Sequence, residues 1–188
     1  MKRLWLVRHA TPLVAPGTCY GASDVAADAL HTAETARRLV QTLPVDLIAA
    51  QCSPLQRCRV LADALRTLRP ALAVQTTPLL AEMDFGDWEG KTWNSLGEPA
   101  LSAWTADFAH HRPGGGESVT ALLKRVDEAM QIASNADGDD VLWITHAGVI
   151  KAARLLSAGT RHIERADQWP TIGVAFGGWT VLTLPVSS

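Results

Sequence analysis

The sequence predicts an α/β protein with a mostly parallel sheet. Short apolar runs at Leu4–Val7 and Val141–Ile144 have the length and composition of buried strands. Segments with apolar residues at helical spacing lie between such runs, so strand and helix alternate. The chain has 188 residues, enough to bury about 70% of its unfolded surface in one core. No linker-like tract divides it, and one domain over 1–188 is expected.

The elements follow in order. Leu4–Val7 is the first strand; Pro12, Pro16 and Gly17 then impose a loop to about Asp24. Over 28–43, Ala29, Leu30, Ala33, Ala36, Leu39, Val40 and Leu43 have helical spacing, with Arg37, Arg38 and Gln41 on the other face. Asp46–Ala50 reads as a second strand. Ser53 and Pro54 follow as an N-cap residue and a proline at the first helical position, opening a helix that holds Leu55, Val60, Leu61 and Leu65. A short third strand fits 71–75. Residues 82–93 form a turn-rich loop whose Trp88 and Trp93 either wall a pocket or pack in the core. A helix over 101–108 is broken by Pro113 and the glycines at 114–116. Ser118 caps a helix over 118–134. Val141–Ile144 is the clearest strand, and His146-Ala147-Gly148 turns it into a helix ending near Ser157. Residues 174–184, with Gly177-Gly178 inside, are expected to form a closing hairpin. Trp5 and Trp143 fall in strands and belong to the core.

Composition excludes several functions. The net charge of −2 creates no field that recruits nucleic acid or an anionic membrane, so any phosphate site is a local cluster of cations. Cys19, Cys52 and Cys58 lack the spacing of a zinc site, and their odd number argues against a disulfide framework. The N-terminal apolar run is too short for a signal peptide or a membrane span. A reduced, cytoplasmic protein without metal or cofactor is expected. His110 and His111 have no carboxylate at ligand spacing and read as solvated surface.

Chemistry converges where the strands end. The first ends in Arg8-His9, the second leads to Ser53 with Arg57 just beyond, and the strand at 141–144 ends in Thr145-His146. Ligands of open α/β sheets bind outside the carboxyl ends of parallel strands. Arg57, placed in a first helical turn, opposes the helix dipole unless an anion binds there. Arg8 and Arg57 can grip one phosphoryl group with planar, bidentate hydrogen bonds. These cations keep His9 neutral and nucleophilic, so attack on phosphorus gives a phosphohistidine. Charge on the equatorial oxygens is then met by Arg8, Arg57 and a protonated His146, with the Ala147-Gly148 amides as further donors. The acid that protonates the leaving group is Glu82, Asp84, Asp87 or Glu89; spacing does not choose.

Five blocks in order resemble the histidine phosphatase superfamily, the phosphoglycerate mutase-like group. They are Arg8-His9-Ala10, Ser53-Pro54-Leu55-Gln56-Arg57-Cys58, the run from Glu82 to Gly90, the Gly-Gly-Glu-Ser block at 115–118, and the run from Thr145 to Ile150. The resemblance implies a three-layer α/β/α sandwich with one antiparallel strand in a six-stranded sheet. It implies His9 as nucleophile, Glu82 as acid/base, and Arg8, Arg57 and His146 as the phosphate pocket. Departures are Ala10 for the usual glycine, Thr11-Pro12 after it, Ala15 where an asparagine is common, and no Pro-Leu-Thr helix entry after Asp24.

The segment from Gly17 to Asp24, together with Thr11-Pro12, is similar to the α-ribazole-phosphatase-like branch, which acts late in cobalamin synthesis. Tyr20 and Gly21 lie where the family contacts the non-phosphate part of its substrate; with Thr11 they are the candidate substrate-binding residues. The expected partner is a small phosphorylated metabolite, such as α-ribazole 5′-phosphate, taken by a monomer or homodimer. The competing readings are a mutase and a non-catalytic binder of phosphorylated ligands.

Overall fold

The computed structural model describes residues 2–184. Its strands are β1 (Lys2–Arg8), β2 (Ala49–Cys52), β3 (Ala73–Thr76), β4 (Asp140–Thr145) and β5 (Trp179–Leu184). Its helices are α1 (Ala29–Thr42), α2 (Gln56–Leu68), α3 (Glu98–Ala106), α4 (Val119–Asn135) and α5 (Ala147–Ser157). The sheet runs in the order β3-β2-β4-β1-β5, and β5 alone is antiparallel to its neighbour.

Side chains of a strand alternate between faces, and the two central strands use both faces apolarly. Leu4 and Leu6 of β1 join Val141 and Trp143 of β4 beneath α4 and α5. Trp5 and Val7 join Leu142 and Ile144 beneath α1 and α2. Two cores separated by one sheet make the three-layer sandwich. Trp143 is fully buried, and its indole N–H donates to Gln51 Oε1 at 2.7 Å. Asp28 caps α1 by accepting from the His31 N–H at 2.7 Å, and Ser118 caps α4 by accepting from Ala121 at 3.2 Å.

Several expectations shift. The second strand starts three residues later than Asp46 and ends at Cys52, and the Ser53 N–H carries its bonding to β4 one residue further, to the Ile144 carbonyl at 3.0 Å. Ser53 therefore does not cap a helix; α2 begins at Gln56 without a side-chain cap. Val60 is exposed, and α1 buries Thr32, Thr35, Ala36 and Leu39 while Leu30 faces solvent. The sheet has five strands among the described residues, where six were expected. No hairpin forms at 174–184 either. Gly177 turns the chain with a positive φ of 66°, and β5 then pairs with β1 alone. Trp88 and Trp93 pack with Phe85 and Trp104 in an aromatic cluster behind the 82–93 loop.

The parallel strands β1, β2 and β4 end on one edge, which sets His9, Ser53 and His146 side by side. Backbone bonds continue past the strands to fix them: His9 donates to Thr145 at 3.1 Å and Gly177 donates to His9 at 2.9 Å. The sandwich depends on its central tryptophan. Trp143→Ala should cost about 3–5 kcal/mol, read as a lower midpoint in urea unfolding.

Candidate active site

The two predicted arginines reach the strand ends from different elements. Arg57 is fully buried in the first turn of α2, and its terminal nitrogens donate to the carbonyls of Ser23 (2.7 Å) and Gly21 (2.6 Å). Arg8, at the end of β1, donates to the Val174 carbonyl at 2.8 Å, and its guanidinium lies 3.7 Å over the Phe176 ring. In both, Nε is buried without a hydrogen-bond partner. Burial pulls both guanidinium groups below the ordinary arginine value.

His9 sits between them, 2% exposed. Its Nδ1 is 2.7 Å from the Ala10 carbonyl, which can only accept, so Nδ1 carries the proton and Nε2 keeps its lone pair. Burial drives its pKa down to about 3; the Ala10 bond opposes this, and Arg57 and Arg8 add to it. Among the described residues no non-glycine residue has a positive φ, so alanine at position 10 carries no backbone strain.

His146 is fully buried, its ring 5.1 Å from that of His9. The Ser53 hydroxyl lies 2.7 Å from its Nε2, which is the use that residue finds in place of capping. In the ligand-free pocket the proton expected on His146 during transfer is disfavoured. Burial, then Arg57 and His9, hold the imidazole well below its usual value. A phosphoryl dianion entering the pocket brings the opposite field and favours the proton.

The geometry separates the four carboxylates. Asp84 and Asp87 are exposed, and Asp84 is spent on the Gly86 N–H at 2.8 Å. Glu89 accepts from the N–H groups of Ala22 (2.8 Å), Ser23 (2.6 Å) and Phe85 (3.0 Å) and from the Ser23 hydroxyl. Burial opposes its charge, but these donors prevail and hold its carboxyl below the usual range. Glu82 is half-buried, accepts from the Gly148 N–H at 3.0 Å and interacts electrostatically with Arg8, Arg57 and Tyr20. Of the four, it alone belongs to the cluster. Ala147, which opens α5 beside His146, has an N–H without an intrahelical acceptor.

The candidate substrate-binding residues divide. Tyr20 is half-buried, its ring 5.4 Å from the Arg57 guanidinium, and burial pushes its phenol up. Gly21 is buried, a Cβ there would overlap the Met83 carbonyl, and its own carbonyl accepts from Arg57. Thr11 is exposed and turned toward α1, with its N–H and hydroxyl on His31 Nδ1 at 3.2 and 2.7 Å. Sequence reading missed Phe176, 5.6 Å from the His9 ring, and Lys151, one helical turn past Ala147. Helical periodicity would have found Lys151; no local signal marks Phe176. Among the described residues no group of His, Cys, Asp and Glu is placed to hold a metal ion.

A model of the histidine phosphatase superfamily, branch 1, matches residues 4–183. The chain belongs to that superfamily. It is a phosphatase, and the relatives that match it over four fifths or more of its length carry phosphatase names. The adenosylcobalamin/α-ribazole phosphatase of Escherichia coli is 30% identical over 185 residues, covering 92% of this chain and 90% of that one. An acid phosphatase of Mycobacterium tuberculosis is 34% identical over 156 residues, 80% of this chain and 72% of its own. Among solved structures, a putative α-ribazole-5′-P phosphatase from Escherichia coli matches with a TM-score of 0.80 at 28% identity, covering 96% of this chain and 89% of that one. A mycobacterial glucosyl-3-phosphoglycerate phosphatase matches with 0.76 at 26% identity, covering 96% and 89%. No described helix is long and apolar enough to cross a membrane.

The buried histidines of this superfamily member make its stability pH-dependent. Both are uncharged in the folded state, whereas in the unfolded chain each takes a proton below about pH 6.5. The unfolded state therefore binds more protons there, and stability falls as the pH drops from 6.5 toward the folded value of about 3 for His9. His9 alone should make the protein about 2 kcal/mol less stable at about pH 5 than at about pH 7, and His146 adds a loss of the same sign. Urea unfolding at both pH values reads this, and His9→Asn should flatten the dependence.

Proposed function

We propose that the protein is a metal-independent phosphomonoesterase that works through a phosphohistidine on His9 and takes a small phosphorylated metabolite. The observation that carries this reading is the state of His9: buried, uncharged, with Nδ1 tied to the Ala10 carbonyl and two arginines beside it. Nε2 is the free lone pair, aimed by a bond on the other ring nitrogen.

The chemistry follows in two steps. His9 Nε2 attacks phosphorus, the N–P bond forms and the ester P–O bond breaks. Glu82 gives its proton to the departing alkoxide oxygen. Water then attacks the phosphohistidine, Glu82 takes its proton, and inorganic phosphate leaves. Arg8 and Arg57 hold the equatorial oxygens throughout, with the Ala147 N–H and His146 as further donors. His146 joins them by taking up a proton as the phosphoryl group binds.

The alcohol half of the substrate is less determined by these residues. α-Ribazole 5′-phosphate is the substrate to test first. The segment from Gly17 to Asp24 and the similarity to the Escherichia coli adenosylcobalamin/α-ribazole phosphatase both favour it.

Purified protein with EDTA should release phosphate from p-nitrophenyl phosphate and from α-ribazole 5′-phosphate. His9→Ala should release none. Chelator-sensitive release, or release that survives in His9→Ala, sinks the mechanism; the ratio of kcat/KM for the two substrates decides the cobalamin assignment.

Gly148 offers a second check. A Cβ there would overlap Glu82 Oε1, the mobile end of a side chain, while the helical backbone tolerates alanine. Gly148→Ala should lower kcat by about a hundredfold and leave the urea midpoint close to wild type.

A further inference from the structure

The bond that aims His9 does not end at Ala10. The Ala10 carbonyl beside His9 Nδ1 belongs to the same planar peptide as the Thr11 N–H. In a trans peptide these two groups point in opposite directions, so the partner of the N–H sets the direction of the carbonyl. That partner is His31 Nδ1, at 3.2 Å. A backbone N–H can only donate, so Nδ1 is the unprotonated nitrogen of His31. The Thr11 hydroxyl, 2.7 Å away, donates to it as well. An unbroken chain of hydrogen bonds therefore runs from Nδ1 of His31, through one amide, to Nδ1 of His9.

His31 is itself firmly placed. It stands in the first turn of α1, and its N–H donates to the capping Asp28 at 2.7 Å. The Asp28 N–H donates to the Thr11 carbonyl at 2.8 Å, and the Leu13 N–H donates to the Ala26 carbonyl at 2.8 Å. The start of α1 thus grips the chain just after the nucleophile. On the other side of the ring, His31 Nε2 lies 2.6 Å from where a Cβ on Gly177 would stand. The Gly177 N–H donates to the His9 carbonyl. The imidazole of His31 therefore packs between the two backbone segments that hold His9. It also joins the two places, Thr11-Pro12 and the entry to α1, where the sequence departs from the family pattern.

Hydrogen bonds in such a chain polarise one another. An acceptor on the Thr11 N–H makes the Ala10 carbonyl a better acceptor for His9 Nδ1–H. The lone pair stays on Nε2 only while the proton stays on Nδ1. No proton crosses the peptide; the chain acts by orientation. We infer that His31 is a positioning residue for His9, acting through the Ala10–Thr11 peptide to keep the proton on Nδ1 and the attacking lone pair on Nε2. The inference rests on the phosphohistidine reading and adds to it the group that orients the nucleophile.

Two variants of the full chain separate this role from packing. His31→Leu removes the acceptor. His31→Asn removes the ring but places an acceptor oxygen where Nδ1 stood. Nitrogen-15 NMR of histidine-labelled protein reads the tautomer, with the His9 signals assigned by their loss in His9→Asn. Wild type at about pH 7 should show Nδ1 protonated and Nε2 bare. His31→Leu should draw the two signals toward each other. It should also slow single-turnover release of p-nitrophenol about tenfold, with half-saturation close to wild type. His31→Asn should keep the wild-type signals and most of the rate. A leucine variant with wild-type His9 signals overturns the inference, as does an asparagine variant no better than leucine. His31→Ala replaces His31→Leu if circular dichroism shows the latter unfolded. If wild type releases no phosphate, the phosphomonoesterase reading fails by itself. The nitrogen signals need no turnover and still decide the role of His31.

Discussion

A fully buried guanidinium held by carbonyl oxygens, with no carboxylate bonded to it, is the constraint from which the rest of this molecule can be read. Arg57 bonds the backbone of Gly21 and Ser23. A carboxylate at that distance would neutralise it and leave nothing to attract a phosphoryl group. Carbonyl oxygens bond its two terminal nitrogens while leaving the full positive charge in place. That solution demands a loop held rigidly enough to present two carbonyls together. Glu89 does this from below by gathering the N–H groups of Ala22 and Ser23, and Asp24 ties the same loop to Gln56 at the start of α2 with a 2.5 Å bond. Arg8 repeats the arrangement on the other side, with Val174 and the face of Phe176 in place of an anion.

The same positive field explains the histidines. Two imidazoles whose centroids are 5.1 Å apart, buried beside two guanidinium groups, do not carry protons in the empty pocket. For His9 that state serves nucleophilic attack directly. For His146 it means that the proton arrives with the ligand, so substrate binding and protonation are coupled. The hydroxyl of Ser53 at its Nε2 and the thiol of Cys58 at 3.5 Å from the same atom keep the ring oriented while it waits. Both come from the stretch just after β2, which shows how closely the sheet order and the site depend on each other.

The sequence made the fold class and the central cluster legible because both rest on local patterns. The apolar runs of β1 and β4 alternate between two cores and declare a strand covered on both faces, and the residues that end them are the site. Residues whose roles depend on tertiary geometry were hidden. Ser53 has the form of a capping residue, and only its backbone bond to Ile144 shows that it continues the pairing of β2 with β4 past the strand end. Gly21 sat in a motif suggestive of substrate contact, yet the crowding of Met83 makes it a backbone support. The choice among Glu82, Asp84, Asp87 and Glu89 is invisible in the sequence, since it turns on which carboxylate the fold places within the field of Arg8 and Arg57. Residues 172–178 carry no motif, and their part in the pocket arises from contacts with Arg8 and His9, more than 160 positions away in sequence.

The position of β1 in the sheet has a consequence for how the protein is made. It is the first of the described strands to be synthesised, yet its neighbours are β4 and β5, residues 140–145 and 179–184. Leu4 and Leu6 thus stay without their partners until nearly the whole described chain has been synthesised. At about 5–20 residues per second this leaves an apolar strand with two open edges for on the order of ten seconds or more. Long-range pairing of this kind slows folding and exposes nascent chains to aggregation. Lys2, Arg3 and Arg8, the charged residues that bracket the run, oppose its pairing with another chain during that interval.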